Sequence, residues 1–393
     1  GRYFEAHLTG NQVVPPVSTA ATGEVKIFLN QAENQATIKG KFHNLSSAQT
    51  SARIVLNVGD TSVVYTFPTI GGRDGNFPNA TISVTAAQVA QLRTGLWSAV
   101  IGSVNNPNGE IRGRLTTHSN HSDFDGDGSN DIAVFRPSAG VWYIQNSEGF
   151  SARVLGNAND KLVSGDFDGD GKTDAAVFRN VNGTGVWSIN RSSDAGLTET
   201  QFGLATDIPV RGDFDGDGRN DLAVYRRSNG DWYIQRSDNS GFTGVQFGAS
   251  EDVPVAGDFD GDGKTDIAVF RPSNGGWYYL RSSDGGFRGN LFGQSGDVPI
   301  SGDFDGDGKA DITVFRPSNG VWYIMRSSDA TFDFRQFGLG TDVPVAGNYD
   351  GDNKTDIAVF RPSNGFWYIW RSVDNTFSYQ QFGQNGDVPT PAR

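Results

Sequence analysis

No cysteine occurs in the 393 residues, only one methionine and four histidines do, and no stretch approaches 18 consecutive apolar residues. Without thiols there are no disulfides, thiolate metal sites or cysteine nucleophiles. The compartment stays open, because a chain this long buries enough core without cross-links. The histidines (His7, His43, His118 and His121) do not recur with the repeats described below, and none is spaced His-x-x-x-His. Metal-activated water chemistry on imidazole is therefore disfavoured. The missing apolar run excludes a membrane-spanning helix. Basic residues are outnumbered, 32 to 45, giving a formal charge of -13 and a pI near 4.7. That balance argues against nucleic acid or an anionic membrane as partner. Neither a G-x-S-x-G elbow nor a phosphate-cradling loop is found. The chain opens at Gly1 without a signal-peptide pattern, and the expectation is a mature, processed form.

What is abundant is glycine and phenylalanine, 52 and 27 residues, in short apolar runs broken by turn residues. This reads as strands rather than helices. Self-comparison sharpens the reading, since a fixed period decides architecture. Trp142, Trp187, Trp232, Trp277, Trp322 and Trp367 recur every 45 residues, and the text around them repeats. The second unit carries two extra residues in the turn Asn180 to Gly185, as a surface loop tolerates.

Each unit parses into four strands. In the fourth they are Val253 to Gly257, Ile267 to Phe270, Trp277 to Leu280, and a last one ending near Phe292-Gly293. Four short strands repeated radially make a propeller blade; stacked sheets in a solenoid are the rival. The termini favour the ring. The first unit opens at His121-Ser122-Asp123 without the strand that precedes every other Asp motif, and the chain ends on a spare copy, Phe382 to Pro389. Joining the two removes a pair of sheet edges. The expectation is an all-β protein: a β-sandwich over residues 1–117 and a propeller of six four-stranded blades over 118–393. Seven blades would need a degenerate blade from the N-terminal region.

The motif Asp-x-Asp-x-Asp-Gly-x-x-Asp carries the chemistry. Its members are Asp123, Asp125, Asp127 and Asp131; Asp166, Asp168, Asp170 and Asp174; Asp213, Asp215, Asp217 and Asp221; Asp258, Asp260, Asp262 and Asp266; Asp303, Asp305, Asp307 and Asp311; and, altered, Asn348, Asp350, Asp352 and Asp356. The backbone carbonyls of the seventh position (Ser129, Lys172, Arg219, Lys264, Lys309 and Lys354) complete the expected ligand sets. Alternate carboxylates on a tight loop converge on one point, as a hard cation with about 6–8 oxygen ligands requires. Calcium is the expected ion, about six per chain in a structural role; magnesium prefers small octahedral sites that retain water. Glycine at the sixth position permits the turn, and its one replacement, Asn353, tolerates the same backbone. An EF-hand is excluded: no Glu stands at position twelve and the flanks are strands. Read as plain polar turns, these loops would hold 23 of the 45 acidic residues with nothing to offset their repulsion.

An arginine follows the second strand in every unit: Arg136, Arg179, Arg226, Arg271, Arg316 and Arg361. A bound anion is one reading. The plainer one is an arginine bonded to the Asp loop or a carbonyl, or stacked on the neighbouring Trp. The six tryptophans are read as blade packing rather than sugar platforms.

Residues 1 to about 116 alternate apolar and polar residues between Gly, Pro and Asn breaks, with one or two helical turns within Thr85 to Thr94. Residues 10–25, Asn44-Leu45-Ser46 and Asn106 to Gly113 resemble the chordin-type CHRD domain. That resemblance implies an extracellular domain. The family's His-containing middle segment is here Ser51 to Leu56, so functions tied to those histidines do not carry over. The repeats resemble the FG-GAP (VCBS) family, whose propellers include the integrin α-subunit head and bacterial surface proteins; the resemblance implies Ca²⁺ at the Asp positions above.

The functional expectation is a secreted, non-catalytic prokaryotic surface protein in adhesion or assembly, including a subunit of an extracellular filament or sheath. Its partners are then further copies of itself or extracellular protein or glycan. A glycan-binding adhesin is the alternative. A propeller hydrolase or lyase is the other class, but the departures from the repeat (Ser188, Arg227, Asn348, Asn353) make no proton-transfer set.

Overall fold

The computed structural model describes residues 2–10, 13, 15–30, 32–56, 62–93, 96–115, 122–126, 128–237, 239–352 and 354–390. The chain divides into two compact units, Gly1–His118 and Ser119–Arg393. Among the described residues no helix is long and apolar enough to cross a membrane.

The first unit contains β1 (Arg2–Thr9), β2 (Thr22–Leu29), β3 (Gln35–His43), β4 (Gln49–Leu56), β5 (Val63–Thr66), β6 (Gly75–Ser83), α1 (Ala86–Arg93), β7 (Trp97–Ser103) and β8 (Ile111–Arg114). All pairings are antiparallel, in the order β5-β4-β7-β8-β1-β2-β3-β6. Two four-stranded halves meet at the β8–β1 seam, where the register runs through the single pair Thr9–Arg112. Alternating residues from both halves, such as Phe4, Val25, Ile27 and Ile38 with Ile54, Trp97 and Ile101, fill one core. This is the sandwich the alternation predicts. Thr85 opens α1: its hydroxyl accepts the Gln88 amide while the Gln88 side chain accepts the Thr85 amide, a reciprocal cap.

One buried group ties this unit together. The Glu110 carboxylate accepts hydrogen bonds from the Thr19 hydroxyl (2.8 Å), the Ser46 amide and hydroxyl (2.6 and 2.9 Å) and the Ser103 hydroxyl. Thr19, Ser46 and Glu110 come from the three segments that carry the CHRD resemblance. Burial pushes the Glu110 carboxyl up, but the hydrogen bonds from Ser103, Ser46 and Thr19 together outweigh it and hold it below its ordinary range.

The second unit is six four-stranded antiparallel sheets. The fourth is Val253–Gly257, Asp266–Arg271, Gly276–Leu280 and Phe287–Leu291. The first blade borrows its innermost strand from the C-terminus: Val388, Pro389 and Thr390 pair with Phe135, Val134 and Ala133. The circuit closes, because the amide of the eighth loop position donates to the first-position carbonyl of the preceding blade. Thr173 donates to Asp123, Asn220 to Asp166, Thr265 to Asp213, Ala310 to Asp258, Thr355 to Asp303 and Asn130 back to Asn348, all at 2.6–2.7 Å. A solenoid has no such return. The unit is a closed six-bladed propeller.

All six repeat tryptophans are fully buried. Each indole donates to a carbonyl 13 or 15 residues on, as Trp277 does to Phe292 (3.0 Å) and Trp142 to Leu155 (3.0 Å). They are core residues, unavailable as platforms. The six arginines correct the sequence reading. Their partner is not the Asp loop but a second aspartate just ahead of the innermost strand, 19 residues upstream in five of the six blades. Arg226, Arg271, Arg316 and Arg361 clasp Asp207, Asp252, Asp297 and Asp342 with paired bonds of 2.7–2.9 Å. Arg136 does the same to Asp387, just ahead of the closing strand, whereas Arg179 makes one bond to Asp160. The ring beneath the guanidinium is tyrosine, not tryptophan: Arg136, Arg226, Arg271, Arg316 and Arg361 lie 4.3–4.9 Å from Tyr143, Tyr233, Tyr278, Tyr323 and Tyr368.

Candidate metal centres

Each Asp loop joins the innermost strand of a blade to the second. In the fourth, Asp258 follows Val253–Gly257 and Asp266 begins the next strand. The first-position side chain folds back under the loop. Asp258 accepts the amides of Gly261 (2.6 Å) and Gly263 (2.8 Å), and Asp123, Asp166, Asp213 and Asp303 accept the equivalent pairs. This winding needs positive φ at both glycines, +79° at Gly261 and +89° at Gly263. The fourth-position glycine has a second duty. The seventh-position side chain of the next blade lies over it: Lys172 on Gly126, Arg219 on Gly169, Lys264 on Gly216, Lys309 on Gly261, Lys354 on Gly306 and Ser129 on Gly351. Neighbouring loops are thus fastened by side chains as well as by the amide circuit.

The ninth-position carboxylate anchors the other end. Asp266 accepts the Phe259 amide (2.8 Å) with one oxygen and the Ser282 amide (2.6 Å) with the other. Ser282 lies in the turn between the third and fourth strands, which folds back onto the loop. Its hydroxyl reaches Asp262 (2.8 Å) and that of Ser283 reaches Asp260 (2.6 Å). Ser192 and Ser193 do the same to Asp170 and Asp168, and Ser327 and Ser328 to Asp307 and Asp305. In the first blade Ser147 bonds Asp125. These serines escape a reading of the motif alone. Their signal was a serine five residues past each repeat Trp, followed by a second serine in blades two, four and five.

Fit to a cation follows from spacing and charge. One carboxylate oxygen from each of Asp258, Asp260 and Asp262 lies within 4.8 Å of the others, and likewise for Asp166, Asp168 and Asp170, for Asp123, Asp125 and Asp131, for Asp213, Asp215 and Asp221, and for Asp303, Asp305 and Asp311, with one further group. Oxygens about 2.3–2.6 Å from one ion stand at most about 5 Å apart, so these groups match a single divalent centre. Burial first, then the neighbouring carboxylates, raises Asp166 to about 8 and Asp258 and Asp303 to about 7. The ninth positions Asp174, Asp266 and Asp311 rise to about 6, and Asp221 and Asp356 to about 7, burial again leading. Such a loop holds protons near neutrality unless a cation replaces them.

The sixth loop differs as its sequence does. The Asn348 side-chain oxygen takes the Gly351 amide (2.8 Å), and its Nδ2 faces the Gly128 carbonyl of blade one (3.5 Å). The Asn348 amide donates to the Asn130 side chain (3.0 Å). One carboxylate is exchanged for a contact across the closing seam. Of the predicted ligands, Asp127 lies outside the described residues, as does Asn353. The seventh-position residues Lys172, Arg219, Lys264, Lys309 and Lys354 place their amides on the fifth-position carboxylates, Lys264 to Asp262 for example (2.9 Å). His118 and His121 are also outside the described residues, and His43 lies beside Asp74 at the surface of the first unit.

Residues 4–115 match the CHRD domain family, and residues 123–177, 213–269 and 258–314 match the FG-GAP-like repeat. Among proteins of curated function, none matches the chain significantly. Solved structures resemble it only distantly. A lectin of Agrocybe aegerita that recognises non-reducing terminal N-acetylglucosamine is 16% identical, covering 67% of this chain and 78% of that one at a TM-score of 0.44. An auxiliary nutrient binding protein of Bacteroides ovatus is 8% identical over 89% and 84% of the two chains (TM-score 0.38). The Dos1 propeller is 14% identical over 91% and 83% (TM-score 0.38). Likenesses this low bear on neither ligand nor activity.

Proposed function

The chain joins a CHRD domain to FG-GAP-like repeats, and from that premise we propose a secreted, non-catalytic surface protein of adhesion or assembly whose propeller is locked by calcium. One observation carries the reading: the residues that converge on each centre are also those that close the ring. The first-position residue of a loop offers its side chain to the candidate site and its carbonyl to the next blade. An ion held by the first, third, fifth and ninth side chains neutralises clustered charge and stiffens that junction. No proton transfer is asked of these carboxylates, since backbone amides and serine hydroxyls orient them. An interaction role is supported by the outermost strands, which expose Phe150, Phe242, Phe287, Phe332, Phe334, Phe377 and Tyr379. Exposed aromatic rings repeated on the outer strands of five blades are what favours contact with another molecule.

Metal analysis after dialysis against Ca²⁺ is expected to find close to six ions per chain, one per loop. No retained calcium would sink the reading. Electron microscopy of concentrated protein in Ca²⁺ separates the two roles: ordered fibres support assembly, and dispersed single particles leave adhesion.

A further inference from the structure

Blade three departs from the other blades at the axis of the ring. Where its innermost strand, Ile208–Val210, runs into the Asp loop stands Arg211. The same position holds Ser164, Ala256, Ser301 and Ala346 in blades two, four, five and six; in blade one it lies outside the described residues. Ala256, Ser301 and Ala346 are only half-buried although the innermost strands form the centre of the disc, so open space runs down the axis. Arg211 reaches into it. Among the described residues, the one titratable group that acts on its guanidinium is the Tyr349 phenol of blade six, the blade directly across the ring. Tyr349 is itself a departure, since the second loop position is Phe124, Phe167, Phe214, Phe259 and Phe304 elsewhere. Two exceptions to the repeat, from opposite blades, meet near the axis.

Arg211 is enclosed, charged and unpaired. Among the described residues it makes no hydrogen bond, ion pair or ring contact, unlike Arg226 of the same blade, which Asp207 clasps twice. Tyr349 does not compensate it, being a neutral phenol whose hydroxyl donates to the Val345 carbonyl of its own blade (2.6 Å). A guanidinium does not shed its proton, and a charge withdrawn from water without a counter-charge is costly, so buried charges are normally paired. Alanine at the same position in blades four and six shows that the strand itself needs no arginine there. A further donor faces the same space. Val345 and Gly347 give their amides to the second strand, so the Ala346 amide between them points to the axis. The Ser301 hydroxyl is already given to the Ala256 carbonyl.

We propose that the axis of the propeller binds one small oxyanion, a carboxylate or a sulfate, against Arg211. The anion supplies the counter-charge that no described residue provides. An oxyanion is favoured over chloride because the planar guanidinium fork matches two oxygens of one ligand, giving paired charge-assisted bonds. A metal cation is repelled by Arg211, and an apolar ligand would leave its charge uncompensated. The site is single, because only blade three among the described blades carries a cation at this position. The inference stands beside the calcium reading and does not depend on it.

Titration calorimetry of the full chain with sodium sulfate and sodium acetate, at fixed Ca²⁺ and constant ionic strength set with chloride, tests the site. One saturable event per chain is expected, and the two arms identify the acid. Arg211→Ala, which installs the residue of blades four and six, is expected to weaken binding by at least about tenfold. Sulfate also stabilises proteins non-specifically, so melting is read as a difference: sulfate is expected to raise the transition of the wild type by more than that of Arg211→Ala. Arg227→Gln, at an exposed arginine of the same blade, is expected to change neither readout. Crystals of the wild type soaked in selenate are expected to show an anomalous peak within hydrogen-bonding reach of Arg211. No saturable heat with either anion, equal heats in wild type and Arg211→Ala, or selenate only elsewhere, as an adventitious ion only, would overturn the proposal. None of these results would alter the calcium count.

Discussion

Asn348 and its five Asp counterparts do the same backbone work under different electrostatics. Both residue types accept the fourth-position amide, but only Asp adds a buried charge. Asn348→Asp is therefore expected to raise the affinity of the sixth loop for Ca²⁺ by roughly tenfold, and to destabilise the metal-free protein by on the order of 1 kcal/mol. Calorimetric Ca²⁺ titration and melting in chelator check the two halves. The acid–base sign follows from the same groups. Asp166, Asp258 and Asp303 are raised to about 7–8, above an unfolded value near 4. The folded metal-free state thus binds more protons between about pH 4 and 8, and its stability falls as pH rises through that window. Melting in chelator from pH 5 to 8 is expected to show a decline, and added Ca²⁺ to reverse it by competing with those protons. At this scale the convergence of the loop carboxylates was legible, because their spacing alone brings them together. The serines over them were not: Ser-Ser in a turn is commonplace, and its contact depends on a hairpin folding back from more than 20 residues away.

Strands make contacts that no local pattern announces. Arg271 was legible as recurrent, yet its partner Asp252 sits 19 residues upstream and meets it only because Val253–Gly257 pairs with Asp266–Arg271. The Asp252 side chain is fully buried while Arg271 remains 31% exposed. Arg271→Ala leaves the buried Asp252 carboxylate without its cation, holding only the Ala249 amide, and is expected to cost about 3–5 kcal/mol in urea unfolding. Arg179→Ala, which removes one bond from the second blade, is expected to cost less. In the first unit Glu110 joins β8 to the segments around Thr19 and Ser46. Its depressed carboxyl contributes stability above the unfolded value near 4.5, and that contribution is lost as pH falls through the lower folded value. Glu110→Gln is expected to destabilise this unit by about 1–3 kcal/mol at pH 7, with the difference shrinking towards pH 3; unfolding monitored at both values checks it.

For the whole molecule, the 45-residue period and the orphan C-terminal strand made the ring legible before any coordinates. What they left hidden was how blades are joined. The amide circuit from Thr173 to Asp123 and round to Asn130 and Asn348, with each seventh-position side chain laid over the neighbouring loop, exists only once the ring closes. Spacing within one repeat carries no information about contacts between repeats. The contact of Trp370 with Phe337 of the preceding blade was hidden for the same reason, since Trp370 reads as one more strand aromatic until the adjoining blade is in place. On the proposed calcium reading, an ion in each loop would stabilise the contact that closes the ring and so link residue to molecule.

The most direct measurement is the melting temperature of the propeller at pH 8 in excess chelator and in millimolar Ca²⁺, followed by calorimetry. Ca²⁺ at about 100 times its Kd adds about 2.7 kcal/mol per independent site, so occupied loops are expected to raise the transition by well over 10 °C. An unchanged melting temperature would contradict it.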